Sequence, residues 1–160
     1  MTVSIRPATP SDVPTILGFV RELAAFEREP DAVTATETIM HEALFGARPA
    51  AEAIIAEMDG ASVGMAVFYH NFSTWTGLRG IWLDDLYITP DARGSGAGRA
   101  LLSHLAGIAV DRGCARFEWW VLDWNERAIE FYRKVGAEAM DEWTTQRVTG
   151  AALLKLAGRA

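Results

Sequence analysis

Apolar and polar positions change period several times along the chain, and each change marks an element. "VSIRPAT", residues 3–9, alternates as a short strand does. "TPSDVPTILGFVRELAAFE" then moves to a period near 3.6, with Val13, Ile16, Leu17, Val20, Leu23 and Ala24 on one stripe. Thr9, Pro10 and Asp12 ahead of that stripe supply a cap, a first-turn proline and an acid at the third position. A second helix is predicted over residues 36–44. Residues 51–58 and 62–70 read as two strands around Asp59-Gly60, a dipeptide suited to tight hairpin turns. "HNFSTWTGLRG", 70–80, reads as a loop, and "IWLDDLYI", 81–88, as a strand. Leu101, Leu102, Leu105, Ile108 and Ala109 form the stripe of a further helix. "ARFEWWVL", 115–122, reads as a strand, "NERAIEFYRKVG" as a helix stopped by Gly136, and the tail as one or two short strands. Strand, helix, helix, three strands, helix, strand, helix, strand predicts one α/β domain, residues 1–160, with a mixed sheet.

Composition narrows the partners more than the fold. Half of the residues are apolar and the net charge is −6, with no block of Lys or Arg, so a nucleic-acid partner is not expected. The acidity suits a cationic small substrate. The start lacks a signal-peptide pattern and no apolar run reaches the length of a membrane span, so neither a membrane nor export is expected and the cytoplasm is. Cys114 is the only cysteine, so an internal disulfide is excluded, as suits a reducing compartment. With no histidine near it in sequence, Cys114 reads as a small buried residue entering a strand. His41, His70 and His104 lie at spacings that match no metal motif, so no metal is expected.

The chemistry concentrates in "YITPDARGSGAGRALL", residues 87–102. A strand, a glycine-rich turn and a helix start together make an anion site, because backbone N–H groups and the positive helix end converge there. A nucleotide-binding P-loop would need Lys-Ser or Lys-Thr after its last glycine, and neither follows. A dinucleotide fingerprint would need a third glycine where Arg99 or Leu101 stands. Arg93, Gly96 and Gly98 do satisfy R-x-x-G-x-G, an arrangement that cradles a pyrophosphate. A glycine turn without a ligand is the remaining alternative.

"LYITPDARGSGAGRALL" followed by "VLDWNERAIEFYRKVGA" resembles the GNAT superfamily of acetyl-CoA-dependent N-acetyltransferases. Within it the chain resembles the spermidine/spermine (diamine) and thialysine enzymes, through "IRPAT", "LAAFE", "STW", "LDDLYI" and "VLDWNERA". The resemblance implies a central mixed sheet of six to seven strands flanked by about four helices. It also implies that the strands ending near 88 and 121 splay apart. Acetyl-CoA is the implied cosubstrate, a small primary amine such as a polyamine, diamine or lysine-like molecule the implied acceptor, and a homodimer the implied assembly, with the C-terminal segment near its interface.

The resemblance also distributes roles. Leu86, Tyr87 and Ile88 are expected to pair through their backbone with the pantetheine arm. Arg93, Gly94, Ser95, Gly96, Ala97, Gly98 and Arg99 are expected to hold the pyrophosphate, with Asn125, Glu126, Arg127 and Ala128 as a second cofactor segment. A Cβ at Gly96 or Gly98 would meet phosphate or force an unfavourable dihedral. Asn125 is also placed to cap its helix. Tyr132 is the expected acid that protonates the departing thiolate, with Phe131 beside it as a core residue. Asp84 is expected at the substrate amine, standing where the diamine enzymes carry Glu; strand alternation puts Asp85 on the opposite face. Phe26, Glu27, Glu118, Trp119 and Trp120 complete the expected acceptor side. Alternation places Phe117, Trp119 and Val121 on one face and Glu118 and Trp120 on the other, so the adjacent tryptophans put an indole on each. Peptide acetylation, a coenzyme A sensor without turnover, and a plain interaction domain are the rival readings.

Overall fold

The computed structural model describes residues 2–159, which divide after Trp124 into two compact units. The first unit is built on one sheet of five strands in sequence order: β1 (Val3–Pro7), β2 (Glu52–Met58), β3 (Ala61–Ser73), β4 (Leu78–Ile88) and β5 (Phe117–Trp119). Neighbours are antiparallel except β4 and β5, which run parallel, so the sheet is mixed. Three helices accompany it, α1 (Val13–Phe26), α2 (Glu37–Phe45) and α3 (Ala97–Asp111), with short 3-10 turns at Pro10–Asp12, Pro30–Ala32 and Pro90–Ala92. The second unit carries α4 (Glu126–Lys134) and α5 (Gly150–Leu156).

Residues of period 3.6 form the helices they predict, and their apolar stripes define the two faces of the sheet. Ile16 and Phe19 of α1 pack with Leu44 of α2 onto Ala53, Ile55, Met65, Val67 and Tyr87. The Phe19 and Tyr87 rings lie 5.3 Å apart. The other face is covered by α3, which contacts β1 to β4 and buries Leu101, Leu102, Leu105 and Ala109. Each of these leucines contributes about 1.5–3 kcal/mol on leaving water. The entry to α1 is fixed by Asp12, whose carboxylate accepts from the Thr9 N–H (2.7 Å) and from both terminal nitrogens of Arg6 (2.7 and 2.9 Å).

Several expectations need correction. The sheet has five strands among the described residues, not six to seven; the described α-helices number five. No described residue of the tail is a strand: residues 138–149 are exposed throughout and irregular, and "GAALLKL" forms α5. A strand needs a neighbour and a buried face, which that segment lacks, whereas Ala, Leu and Lys favour a helix. Residues 70–80 are a hairpin rather than a loop, with Asn71, Phe72 and Ser73 paired to Gly80, Arg79 and Leu78. Cross-strand pairing overrides the loop-like Asn, Ser, Thr and Gly content there. β5 is three residues long instead of eight, because the chain leaves β4 after Trp119.

Candidate active site

The ladder between β3 and β4 is interrupted beside the two adjacent acids. Phe68 pairs with Leu83 and Val67 with Asp85, which leaves Asp84 as an extra residue, a β-bulge. Paired residues share a face, and Phe68 and Val67 lie on opposite faces. Leu83 and Asp85, which regular alternation would place together, are therefore turned to opposite sides. This corrects the separation expected of Asp84 and Asp85: Asp85 joins the α1 side, and the charge of Asp84 acts on Asp85, on Glu27 at the end of α1, and on the Tyr69 phenol. Burial pushes the half-buried Asp85 carboxyl up to about 6, reinforced by the charges of Asp84 and Glu27. Burial likewise raises Asp84, and burial followed by the Asp84 charge raises Glu27. Among the described residues no Lys or Arg forms an ion pair with any of the three. Three mutually repelling carboxyls without a cation make a site that favours an incoming positive charge.

Beside this cluster, β4 has a free edge. β5 pairs with it only at Ile81, Trp82 and Leu83, so among the described residues Asp84 to Ile88 have no strand partner on that side. The expected splay is present and begins at the bulge. On the other side the pairing is tight: a Cβ on Gly64 would stand 2.6 Å from the Tyr87 carbonyl oxygen. The chain leaves β4 through the Pro90–Ala92 turn and enters α3 at Gly96. Gly94 (φ 83°) and Gly96 (φ 92°) hold left-handed conformations that side chains disfavour. A Cβ at either meets no protein atom within 4 Å, so the demand is dihedral and the turn is open above its backbone. Gly98 is the second residue of α3 and has no positive φ, so the expected dihedral constraint does not apply to it. Ala97 is buried and anchors the turn, while Arg93, Gly94, Ser95, Gly96 and Arg99 are exposed. The first-turn amides of a 15-residue helix lack intrahelical partners and carry its positive end. An unpaired strand edge leading into such a turn fits acetyl-CoA, whose amide-bearing arm and pyrophosphate follow each other in the same order.

Aromatic side chains are carried by the same segments as the acids: Phe26 precedes Glu27, and Trp82 lies on β4 with Asp84 and Asp85. Phe26 lies 5.9 Å from Trp124, and the Arg93 guanidinium lies over the Phe26 ring at 5.4 Å while its Nε donates to the Ile88 carbonyl at 3.3 Å. Trp120, exposed, meets Trp82 edge-on at 5.1 Å; Trp119 packs against Phe117 at 4.9 Å, as their shared face requires. Beyond Trp119 the alternation no longer applies, since β5 has ended. Glu118 accepts from Asn71 Nδ2 at 3.4 Å. In the second unit, Asn125 caps α4 by accepting from the Ala128 N–H at 3.3 Å. Phe131 and Tyr132 are both half-buried, so Phe131 is not the fully buried residue expected. Cys114 is half-buried rather than buried, with its sulfur 3.9 Å from His70 Nδ1, a proximity that sequence distance concealed.

The acetyltransferase (GNAT) family matches residues 18–137. The chain belongs to that family. This GNAT acetyltransferase is 36% identical to thialysine N-epsilon-acetyltransferase of Sus scrofa, over 99% of both chains. It is 29% identical to L-ornithine N5-acetyltransferase of Arabidopsis thaliana, over 93% of this chain and 85% of that one. Its fold superposes on an integron cassette protein from the mobile metagenome of V. cholerae with a TM-score of 0.81 at 28% identity, covering 98% of each. The enzyme is thus an acyltransferase on the GNAT fold. Among the described residues no helix is long and apolar enough to cross a membrane, and no group of three potential metal ligands occurs.

Asp84 and Asp85 are both candidate acids by residue type, and the register of β3 against β4 places Asp85 beside Val67. Trp124, 41% exposed yet in tilted ring contact with Phe26, has no signal in the sequence beyond belonging to an aromatic-rich segment.

Proposed function

We propose that the protein, as one catalytic domain, transfers the acetyl group of acetyl-CoA to a primary amine of a small molecule by direct attack in a ternary complex. The observation that carries this reading is the cluster of Glu27, Asp84 and Asp85 at the start of the free β4 edge. Acetyl-CoA, when bound, supplies an activated thioester. The backbone of Leu86 to Ile88 pairs with its arm, the amides of Gly94 to Arg99 hold its pyrophosphate, and Asn125 to Ala128 form a second contact segment. The acids draw in an ammonium; Asp84 takes its proton, directly or through water, so that the nitrogen lone pair is free. Asp85 and Glu27 keep the local charge negative, and Phe26 and Trp120 give the acceptor an apolar wall. The Tyr132 hydroxyl donates a proton to the departing sulfur. Relatives named for thialysine and ornithine support an acceptor of that kind.

Exposed apolar residues of the C-terminal segment, among them Met140, Val148, Leu153 and Leu156, support a homodimer that covers them. A single cysteine, which has no partner for an internal disulfide, supports a reducing, cytoplasmic setting. The test is steady-state acetylation by the wild type, Asp84→Asn and Tyr132→Phe. Each variant is expected to lose about 100-fold in kcat with little change in the acetyl-CoA KM. Wild-type kcat/KM for the amine is expected to fall below about pH 6, where Asp85 gains its proton. Unchanged kcat in both variants would contradict these roles.

A further inference from the structure

Glu27 closes α1, and Arg28 follows it with φ 66°, in the left-handed region. The Arg28 N–H bonds to Ala25 O at 3.1 Å and the Glu29 N–H to Ala24 O at 2.9 Å. This pattern ends a helix over a left-handed residue, a place where glycine is the default and a side chain is strained. Strained backbone persists where the surroundings fix it, and is concentrated at functional sites. At Arg28 the surroundings are aromatic. Its guanidinium carbon lies 4.2 Å from the Trp124 ring centroid, and Trp124 is braced by Phe26 at 5.9 Å. Stacking occupies the face of a guanidinium and leaves the N–H fork at its edge available for a planar anion. Among the described residues no carboxylate pairs with Arg28, which is exposed. One residue earlier stands Glu27, whose carboxyl interacts with that of Asp84. A stacked cation without an ion-pair partner among the described residues therefore follows, by one residue, a member of a carboxyl cluster that lacks a cation.

We infer that Arg28 determines acceptor specificity by binding the carboxylate of an amino-acid substrate whose side-chain amine is received by Glu27, Asp84 and Asp85. The inference rests on the amine-acetylation reading and narrows it to acceptors that carry both charges. A diamine or polyamine offers Arg28 no carboxylate and brings a second cation towards it, so the same residue attracts one class and repels the other.

The test compares thialysine with its decarboxylated diamine, a pair that differs only in the carboxylate, on wild type, Arg28→Gly and Arg28→Lys. Glycine removes the guanidinium and relieves the backbone, so Arg28→Gly is expected to melt no lower than the wild type. The wild type is expected to prefer thialysine. In Arg28→Gly the ratio of kcat/KM for the two acceptors falls about tenfold, through KM for thialysine, with KM for acetyl-CoA unchanged. Lysine keeps the charge without the planar fork and gives an intermediate ratio. An unchanged ratio overturns the inference, as does a rise in KM for acetyl-CoA alone, which would assign Arg28 to the cofactor's phosphates; both leave amine acetylation standing. A wild type that acetylates neither compound contradicts the amine-acetylation reading and this inference with it.

Discussion

Asp85 is the residue on which the electrostatics of the site turn. Folding holds its carboxyl protonated up to about pH 6, whereas the unfolded chain releases that proton near pH 4. Between these values the folded state binds more protons, so its stability falls as pH rises through the window, and the loss persists above it. Asp85→Asn removes the charge and keeps the shape. It is expected to raise Tm at about pH 7.5, with the gain vanishing below about pH 4. Thermal melts of both proteins across that range decide the matter, and a pH-independent difference would contradict the burial and coupling assigned to Asp85. At this scale the sequence was informative where chemistry is tied to local spacing. Gly94 and Gly96 are legible because a strand-turn-helix needs them at fixed offsets, and Asn125 because a cap precedes its helix by one position. The resemblance joins Asp84 to Glu27, but the place of Asp85 beside them was hidden, since it depends on one inserted residue in a ladder between distant segments.

Among the elements, the entry to α1 illustrates how local chemistry fixes a helix in place. Asp12 is buried and bonded to Arg6 and Thr9, and Arg6 also donates to Glu57 at 2.8 Å, tying β1, β2 and the helix start together. The Arg6 guanidinium holds the Asp12 carboxyl far below the usual carboxylate range, so this stabilisation is present above about pH 4 and is lost as acid protonates the group. Asp12→Ala leaves Arg6 and the Thr9 N–H without their acceptor and is expected to cost about 2 kcal/mol, or a Tm lower by about 5 °C. A Tm within about 1 °C of wild type would show that the network contributes little. The helices α1 and α3 were readable because their stripes are long and regular. The early end of β5 and the tail were not, because neither the point where a strand leaves its neighbour nor an unpartnered segment leaves a periodic trace; the hairpin at 70–80 was concealed by residues that turns also favour.

At the level of the whole molecule, the fold supplies a free strand edge, an open glycine turn and an acid cluster on one unit, and the family match extends from residue 18 to 137, across both units. A net charge of −6 is consistent with a cationic acceptor but does not choose one. The GNAT fold was legible in advance through its glycine turn and the segment after β5, whereas strand number and the length of the hairpin required the structure. The measurement that tests the central claim most directly is free-thiol release from acetyl-CoA by the purified protein, with each amine of a set that includes thialysine, lysine, ornithine, putrescine and spermidine, and with the acetylated product identified by mass. Thiol release that depends on one of these primary amines, with matching N-acetylated product, is the predicted result. No amine-dependent release, despite a cofactor-dependent rise in Tm, would contradict small-amine acetylation and turn attention to a peptide acceptor or a sensing role.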